Sequence, residues 1–219
     1  MNIHSIILAR GGSKTIKNKN LILVKKKPLL YWSIKRSIQS KHINYTWVSS
    51  DNKKILEFSK KNGARLIKRP KYLAEDTSTS ESAWLHAINY IKEKYKVDLV
   101  VGIQPTSPIR RKTDFDNAIK LFLKKKFDSL FSSNKIYDFN TWKYKQKKLI
   151  SNYNFKNRKR RQDINNNYLE NGSFYIFKSN KFLQKKNRLF GYIGQYEMKK
   201  KSSFQLDDLL DLKIIETLI

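Results

Sequence analysis

The sequence predicts an α/β protein: a mostly parallel, doubly wound sheet with helices on both faces and an insertion protruding near residues 135–168. Three observations lead there. Short apolar runs alternate with helix-spaced segments from residue 2 to residue 132. One of those runs, residues 97–103, is almost continuously apolar, as befits a strand buried on both faces. The alternation then stops over 135–168 and resumes with a strand-like stretch at 172–178. Alternation of this kind points to parallel strands joined by crossover helices.

The elements follow in order. Residues 2–9 read as a short apolar strand, and residues 10–20 as a polar loop containing glycine. Residues 29–40 have helical spacing, with Leu30, Ile34 and Ile38 four apart. A strand is expected at 45–50, a helix at 52–62 and a short strand at 65–68. Residues 80–95 place Ala83, Trp84, Ala87, Ile88 and Ile91 on one helical face. A helix at 113–125 and a strand at 128–132 complete the regular part, and residues 135–168 mix aromatic and basic residues without a period. Order returns at 172–178 and 190–197, and a final helix is expected over 207–218. No repeat or linker divides the chain, so residues 1–219 read as a single domain.

Composition narrows the function classes. A hydrophobic fraction of 39% with 13% aromatics fits a folded protein and not a disordered basic tail. No apolar run approaches the roughly eighteen residues of a membrane span, and no basic segment precedes the short apolar stretch at residues 6–9 as a secretory signal would require. The chain has no cysteine, which excludes disulfides and thiolate metal sites and suits a cytoplasmic protein. Against 18 Asp and Glu stand 47 Lys and Arg, a net charge of +29. Such a surplus suits an anionic partner such as nucleic acid, a membrane surface or a polyphosphate. Yet the lysines are spread along the chain, at Lys53, Lys92, Lys147 and Lys200 for example, as solvated surface positions are. Nucleic acid is therefore not the expected partner.

In sheets of this class, ligands bind beyond the carboxyl ends of the strands. The loops after Ala9, Ser50 and Ile103 should therefore gather at one crevice. The first of these loops contains Arg10, Gly11, Gly12, Ser13, Lys14, Lys19 and Asn20. Two glycines allow close approach to a phosphate, and Arg10, Lys14 and Lys19 supply charge. The spacing is neither a Walker A loop nor a dinucleotide fingerprint. Read without its neighbours, it could equally be a basic surface turn.

The pattern I-x-A-R-G-G-S-K-x-x-x-x-K-N directly after the first strand resembles the signature of the acylneuraminate cytidylyltransferases. That family activates N-acetylneuraminate, legionaminate and pseudaminate, and is related to CMP-Kdo synthetases. Four further segments extend the resemblance. They are Ser49-Ser50-Asp51; Arg69-Pro70 with Leu73-Ala74 and Asp76-Thr77-Ser78; Gln104-Pro105-Thr106-Ser107-Pro108-Ile109-Arg110; and Asn171-Gly172-Ser173-Phe174-Tyr175-Ile176. The resemblance implies a Rossmann-like sheet of the nucleotide-diphospho-sugar transferase type. It implies CTP and an acidic nine-carbon 2-keto sugar as substrates, Mg²⁺ as cofactor and a homodimer. Its nucleotide site would comprise Arg10, Gly11, Gly12, Ser13, Lys14, Lys19, Asn20, Arg69 and Asp76.

The sugar would meet Gln104, Thr106, Ser107, Asn171 and Tyr175. The prolines at 105 and 108 fix a turn that aims amide and hydroxyl groups at a polyhydroxylated ligand. From the insertion, Arg161 with Gln162 would reach the sugar carboxylate of a second subunit, a task suited to a guanidinium. Near the C-terminus, Asp207 matches a metal-binding aspartate, whereas Gln205 stands where the family has another aspartate. Arg10, Lys14, Lys19 and Asp207 are the expected catalytic groups. A different sugar-nucleotide pyrophosphorylase on the same architecture is the alternative, and a non-enzymatic nucleic-acid-binding protein is a more distant one.

Overall fold

The computed structural model describes all residues except 14, 137–139, 161–162 and 164–166. In chain order, the elements are β1 (Ile3–Leu8), a hairpin of β2 (Leu23–Val24) and β3 (Lys27–Pro28), α1 (Leu29–Ile38), β4 (Tyr45–Ser50), α2 (Lys53–Lys61) and β5 (Arg65–Lys68). There follow α3 (Ser80–Lys92), β6 (Leu99–Ile103), α4 (Asp114–Lys124), β7 (Ser129–Lys135), and a second hairpin of β8 (Trp142–Lys145) and β9 (Lys148–Ser151). Last come β10 (Tyr168–Lys178), α5 (Ser179–Lys185), β11 (Ile193–Glu197) and α6 (Leu209–Leu218).

Seven strands form one sheet in the order β11-β7-β10-β6-β1-β4-β5. Parallel pairing joins β1 to β4 and β6, β4 to β5, and β11 to β7, while β10 runs antiparallel to both β6 and β7. The mostly parallel sheet is as expected, with one strand reversed near its centre.

The period of two along each strand builds a core on each face. From β1 and β6, Ile3, Ile7, Leu99, Val101 and Ile103 point to one side. There they meet Leu30 and Ile34 of α1, Ile55 of α2, and Phe115, Ile119 and Phe122 of α4. Ile6 and Val100 point the other way, to Trp84, Ile88 and Ile91 of α3 and Phe182 of α5. A third cluster, including Val24, Leu29, Ile109, Leu206 and Ile215, fastens α6 beside the first hairpin. The expected apolar face of α3 is buried throughout, whereas Ile38, the last member of the expected α1 stripe, is exposed. Helix starts follow their caps: Asn52 accepts from the Ile55 N–H, Thr79 from the Ser82 N–H, and Asp208 with Asp211 forms a capping box on α6.

The structure departs from the sequence expectation in four places. Residues 142–151, expected to be irregular, form the β8–β9 hairpin, and residues 23–28 form another. Helix α5 falls in a stretch to which the sequence pattern assigned no element. The final helix begins two residues later than expected, because Asp208 is its cap.

His4 ties β1 to its neighbours. Its Nδ1 accepts from the Trp47 indole N–H at 3.0 Å, so its Nε2–H donates to the Lys96 carbonyl at 3.1 Å. Burial is the main reason its pKa lies below the ordinary 6.5, with Arg65 acting in the same sense and the Lys96 bond and Asp98 opposing. A group depressed in this way contributes stability above its unfolded value and loses it as pH falls. The melting temperature should therefore drop as the pH is lowered from about 7.5 to 5. Calorimetry on His4→Gln should show a shallower drop, with part remaining because His86 is depressed in the same direction. A drop as steep as in the unmutated protein would remove His4 as a cause.

Candidate active site

The loops after β1, β4 and β6 converge at the carboxyl edge of the sheet. The Gly11 N–H donates to the Asp51 carboxylate at 2.8 Å, and the Asn20 amide to the Arg10 carbonyl at 2.9 Å. These bonds shape the first loop around a cleft of about 360 Å³. Arg10, Gly12, Ser13, Lys19 and Asn20 line one wall. Arg69, Asp76 and the residues leading into α3 line another, and Gln104, Pro105 and Thr106 form the floor after β6.

The two glycines do different things. A Cβ on Gly11 would lie 2.8 Å from the Asn52 side chain, so this position is bare because the cap of α2 packs against it. A Cβ on Gly12 would meet nothing within 4 Å. Only the second glycine therefore presents an open backbone to a ligand.

The cleft cations are held in place by the protein. Arg10 pairs with Asp76 at 2.9 Å and donates to the carbonyls of Ala74 and Glu75 at 3.4 and 3.0 Å. Lys19, mostly buried along its stem, meets Asp207 at 3.2 Å, linking the first loop to the C-terminal segment. Arg69 donates to the Ser49 hydroxyl and carbonyl at 3.1 and 2.6 Å. Burial lowers its pKa to about 10, with Arg10 lowering it further and Asp51 opposing, and it remains a cation at neutral pH.

The expected sugar residues divide. Gln104 and Thr106 face the cleft. Ser107, Asn171 and Tyr175 are not among its lining residues and are engaged by other parts of the protein. The Ser107 hydroxyl is buried and directed to the Asn171 carbonyl at 3.4 Å. Asn171 is buried too: its Oδ1 accepts from the Ser132 hydroxyl and the Ser173 N–H, and its amide donates to Asn134 Oδ1 at 2.8 Å. Tyr175 donates its hydroxyl to Glu170 and lies against Trp84 and Arg188. Burial raises its pKa, with Glu170 adding to the effect. These three build the wall that the others decorate. Lys14, Arg161 and Gln162 lie outside the described residues.

Two devices escaped sequence reasoning. Arg110, at the end of the Gln104–Arg110 segment, is buried and donates to the Gln104 carbonyl at 2.7 Å, to the Ser173 hydroxyl and carbonyl at 2.8 Å each, and to the Ser33 hydroxyl at 2.9 Å. Burial pushes its pKa down to about 9; Arg36 adds to this and Asp114 opposes it. Arg188 forms a two-pronged pair with Glu81, at 2.6 and 2.9 Å, and covers the Trp84 ring at 4.8 Å. It thereby fixes the first turn of α3 at the cleft wall. The partners are 107 positions apart, so no local pattern connects them.

Asp207 is the expected metal ligand that reaches the cleft edge. Asp208 accepts from the Leu210 and Asp211 N–H groups, and Asp211 from those of Asp207 and Asp208, so both are engaged in the capping box. Among the described residues, no group of three His, Cys, Asp or Glu side chains is arranged to hold a metal alone.

A mostly parallel sheet with a cationic, glycine-lined cleft at its carboxyl edge is an arrangement in which α/β proteins receive anionic ligands. The comparisons make this specific: the chain belongs to the cytidylyltransferase family, whose model matches residues 4–218. N-acylneuraminate cytidylyltransferase A of Danio rerio is 33% identical over 98% of the chain and 50% of that protein. Post-translational flagellin modification protein B of Campylobacter coli is 30% identical, over 97% of the chain and 93% of that protein. The pseudaminic acid cytidylyltransferase of Campylobacter jejuni is 28% identical, over 97% and 94% respectively. The chain thus spans about half the length of the vertebrate relatives and nearly all of the Campylobacter ones. Among solved structures, CMP:2-keto-3-deoxy-manno-octonic acid synthetase complexed with CTP superposes with a TM-score of 0.72. It covers 100% of this chain and 98% of its own at 14% identity, a likeness of fold.

Arg110 generates a prediction. Arg110→Ala should leave several buried oxygens without their donor and lower unfolding stability by roughly 3 kcal/mol. Arg110→Lys should recover little, because one ammonium cannot reproduce a planar fork. Urea unfolding measures both, and a lysine variant as stable as the unmutated protein would contradict the clasp.

Proposed function

We propose that the protein transfers a cytidylyl group from CTP to a nine-carbon 2-keto acid sugar, sialic acid or a legionaminate- or pseudaminate-type relative, and releases pyrophosphate. The observation that carries this reading is the division of one cleft. Arg10, Lys19 and Arg69 supply cations to its walls, and Gln104 and Thr106 supply neutral hydrogen-bonding groups to its floor. Family membership and the names of the relatives point to the same pair of substrates.

In this reading the sugar's anomeric hydroxyl attacks the α-phosphorus of CTP. A P–O bond to the sugar forms as the bond to pyrophosphate breaks, and the hydroxyl proton passes to solvent. Arg10 and Lys19, joined by Lys14, offset the charge of the triphosphate and of the departing pyrophosphate. Gly12 lets the backbone approach the phosphates, and Ser13 and Asn20 add hydrogen bonds. Catalysis is then chiefly positioning and charge stabilisation.

The donor set suits a divalent cation, Mg²⁺ in this proposal, of the kind held by one or two carboxylates together with substrate phosphates. Asp207 would hold it, since its side chain is largely exposed and, among the described residues, Lys19 alone engages it. The ion would supply charge stabilisation at the phosphates. The proposal also includes a homodimer, supported by the apolar side chains that the β8–β9 region leaves exposed, among them Trp142, Tyr144 and Leu149. It includes a cytoplasmic location; among the described residues no helix is long and apolar enough to cross a membrane.

The test is pyrophosphate release with each of the four nucleoside triphosphates against a panel of neuraminate, legionaminate and pseudaminate. CTP-dependent release with at least one sugar is expected, and release with another nucleotide and a sugar 1-phosphate would overturn the reading. Lys19→Ala should abolish release while leaving the circular dichroism spectrum unchanged. Near-normal turnover in that variant would remove Lys19 from the site.

A further inference from the structure

Residues 205–207 lie beside the cleft, tied to two residues that line it, Thr106 and Lys19, and their side chains part in different directions. Leu206 is fully buried in the third apolar cluster, and its N–H donates to the Thr106 carbonyl at 2.8 Å. That bond ties the segment to the turn after β6. On one side of Leu206, Asp207 reaches Lys19 at 3.2 Å and so belongs to the phosphate wall.

Gln205, on the other side of Leu206, goes elsewhere. Gly172 sits at the bulge of β10 with a φ of +62°. A Cβ built on it would lie 3.0 Å from Oε1 of Gln104 and 3.2 Å from both Nε2 and Oε1 of Gln205. The heads of two amide side chains therefore approach the same bare glycine. One of them, Gln104, lines the cleft floor. On one side of Leu206 a charged pair forms, Lys19 with Asp207, and on the other two neutral amides, Gln205 and Gln104, approach Gly172.

The chemistry of the two halves differs. A hard divalent cation selects charged oxygens, and an amide brings only a neutral carbonyl. A pair of amides instead offers two acceptor oxygens and four N–H donors in one place, which matches the hydroxyl and amide substituents of a sugar. We infer that Gln205, which approaches Gly172 together with Gln104, is a specificity-determining residue for the acceptor sugar and not a ligand of the metal. This rests on the cytidylyl-transfer reading, and it gives the departure at position 205 a role of its own. Gly172 belongs to the same device: a Cβ there would press on both amides, at 3.0 and 3.2 Å, and its φ of +62° favours glycine.

Two variants and two measurements test the inference. Gln205→Ala removes the amide, and Gln205→Glu keeps its size while adding a carboxylate. Steady-state kinetics with the best sugar of the panel should show KM for the sugar rising roughly five- to tenfold in both, as loss of a hydrogen bond does. KM for CTP should stay within about twofold. Binding of Mn²⁺ to the protein–CTP complex, followed by electron paramagnetic resonance with no sugar present, should be unchanged in both Gln205→Ala and Gln205→Glu. Weakened Mn²⁺ binding in Gln205→Ala, or an unaltered sugar KM, would overturn the inference. If the unmutated protein turned over no sugar, the transfer reading would fall, while the Mn²⁺ measurement would still decide whether position 205 touches the metal.

Discussion

The candidate site depends on one buried guanidinium. Arg110 reaches out from the turn after β6 and binds the carbonyl of Gln104, both oxygens of Ser173 on β10, and the hydroxyl of Ser33 on α1. Three elements far apart in sequence are thereby fixed at the point where the cleft floor begins. A buried cation without such partners would be costly, and several well-directed acceptors make it tolerable. The depressed pKa records that cost, and the number of acceptors explains why the charge persists.

What Arg110 clasps is made possible by the reversal of β10. In a wholly parallel sheet, the start of every strand would lie at the edge opposite the ligands. Because β10 runs the other way, its early residues 171–173 arrive beside the carboxyl end of β6, where Phe174 pairs with Ile103. The pairing of β10 with β7 shifts register between Glu170 and Tyr175, and Asn171 stabilises that irregularity through Ser132, Asn134 and the Ser173 N–H. A bulge at this point re-aims the strand. The result is the bare surface of Gly172 facing Gln104 and Gln205.

Much of this was legible in the sequence, and the exceptions have physical causes. The strands and long helices announced themselves because burial on one or both faces imposes a period, as along α3 and β6. The two hairpins did not, because their turns use Lys25-Lys26 and Gln146-Lys147 in left-handed conformations ordinarily taken by asparagine and glycine. Their strands are short and largely exposed, so no alternation marks them. The place of the first loop at the cleft could be read because its glycines and cations stand close together in sequence directly after β1. The burial of Ser107, Asn171 and Tyr175 could not be read by the same logic, since a polar residue in a distinctive segment serves equally well to line a wall or to build it. The pairs Lys19–Asp207 and Glu81–Arg188 leave no local trace, because each joins distant parts of the chain.

The large positive charge is better understood from the cleft outward. Ion pairs and hydrogen bonds hold Arg10, Lys19 and Arg69 before any ligand arrives, so a triphosphate would meet cations already in position. Most of the surplus lies elsewhere, on exposed lysines such as Lys53, Lys60 and Lys124. Charges on the surface are screened within about 8 Å at physiological salt and do little at the cleft. A net charge of +29 thus raises the general attraction for anions, while selectivity rests on a few cations that acids hold in register. Asp76 and Asp207 are central to that arrangement: each lowers the charge of the empty cleft and aims a cation at the same time.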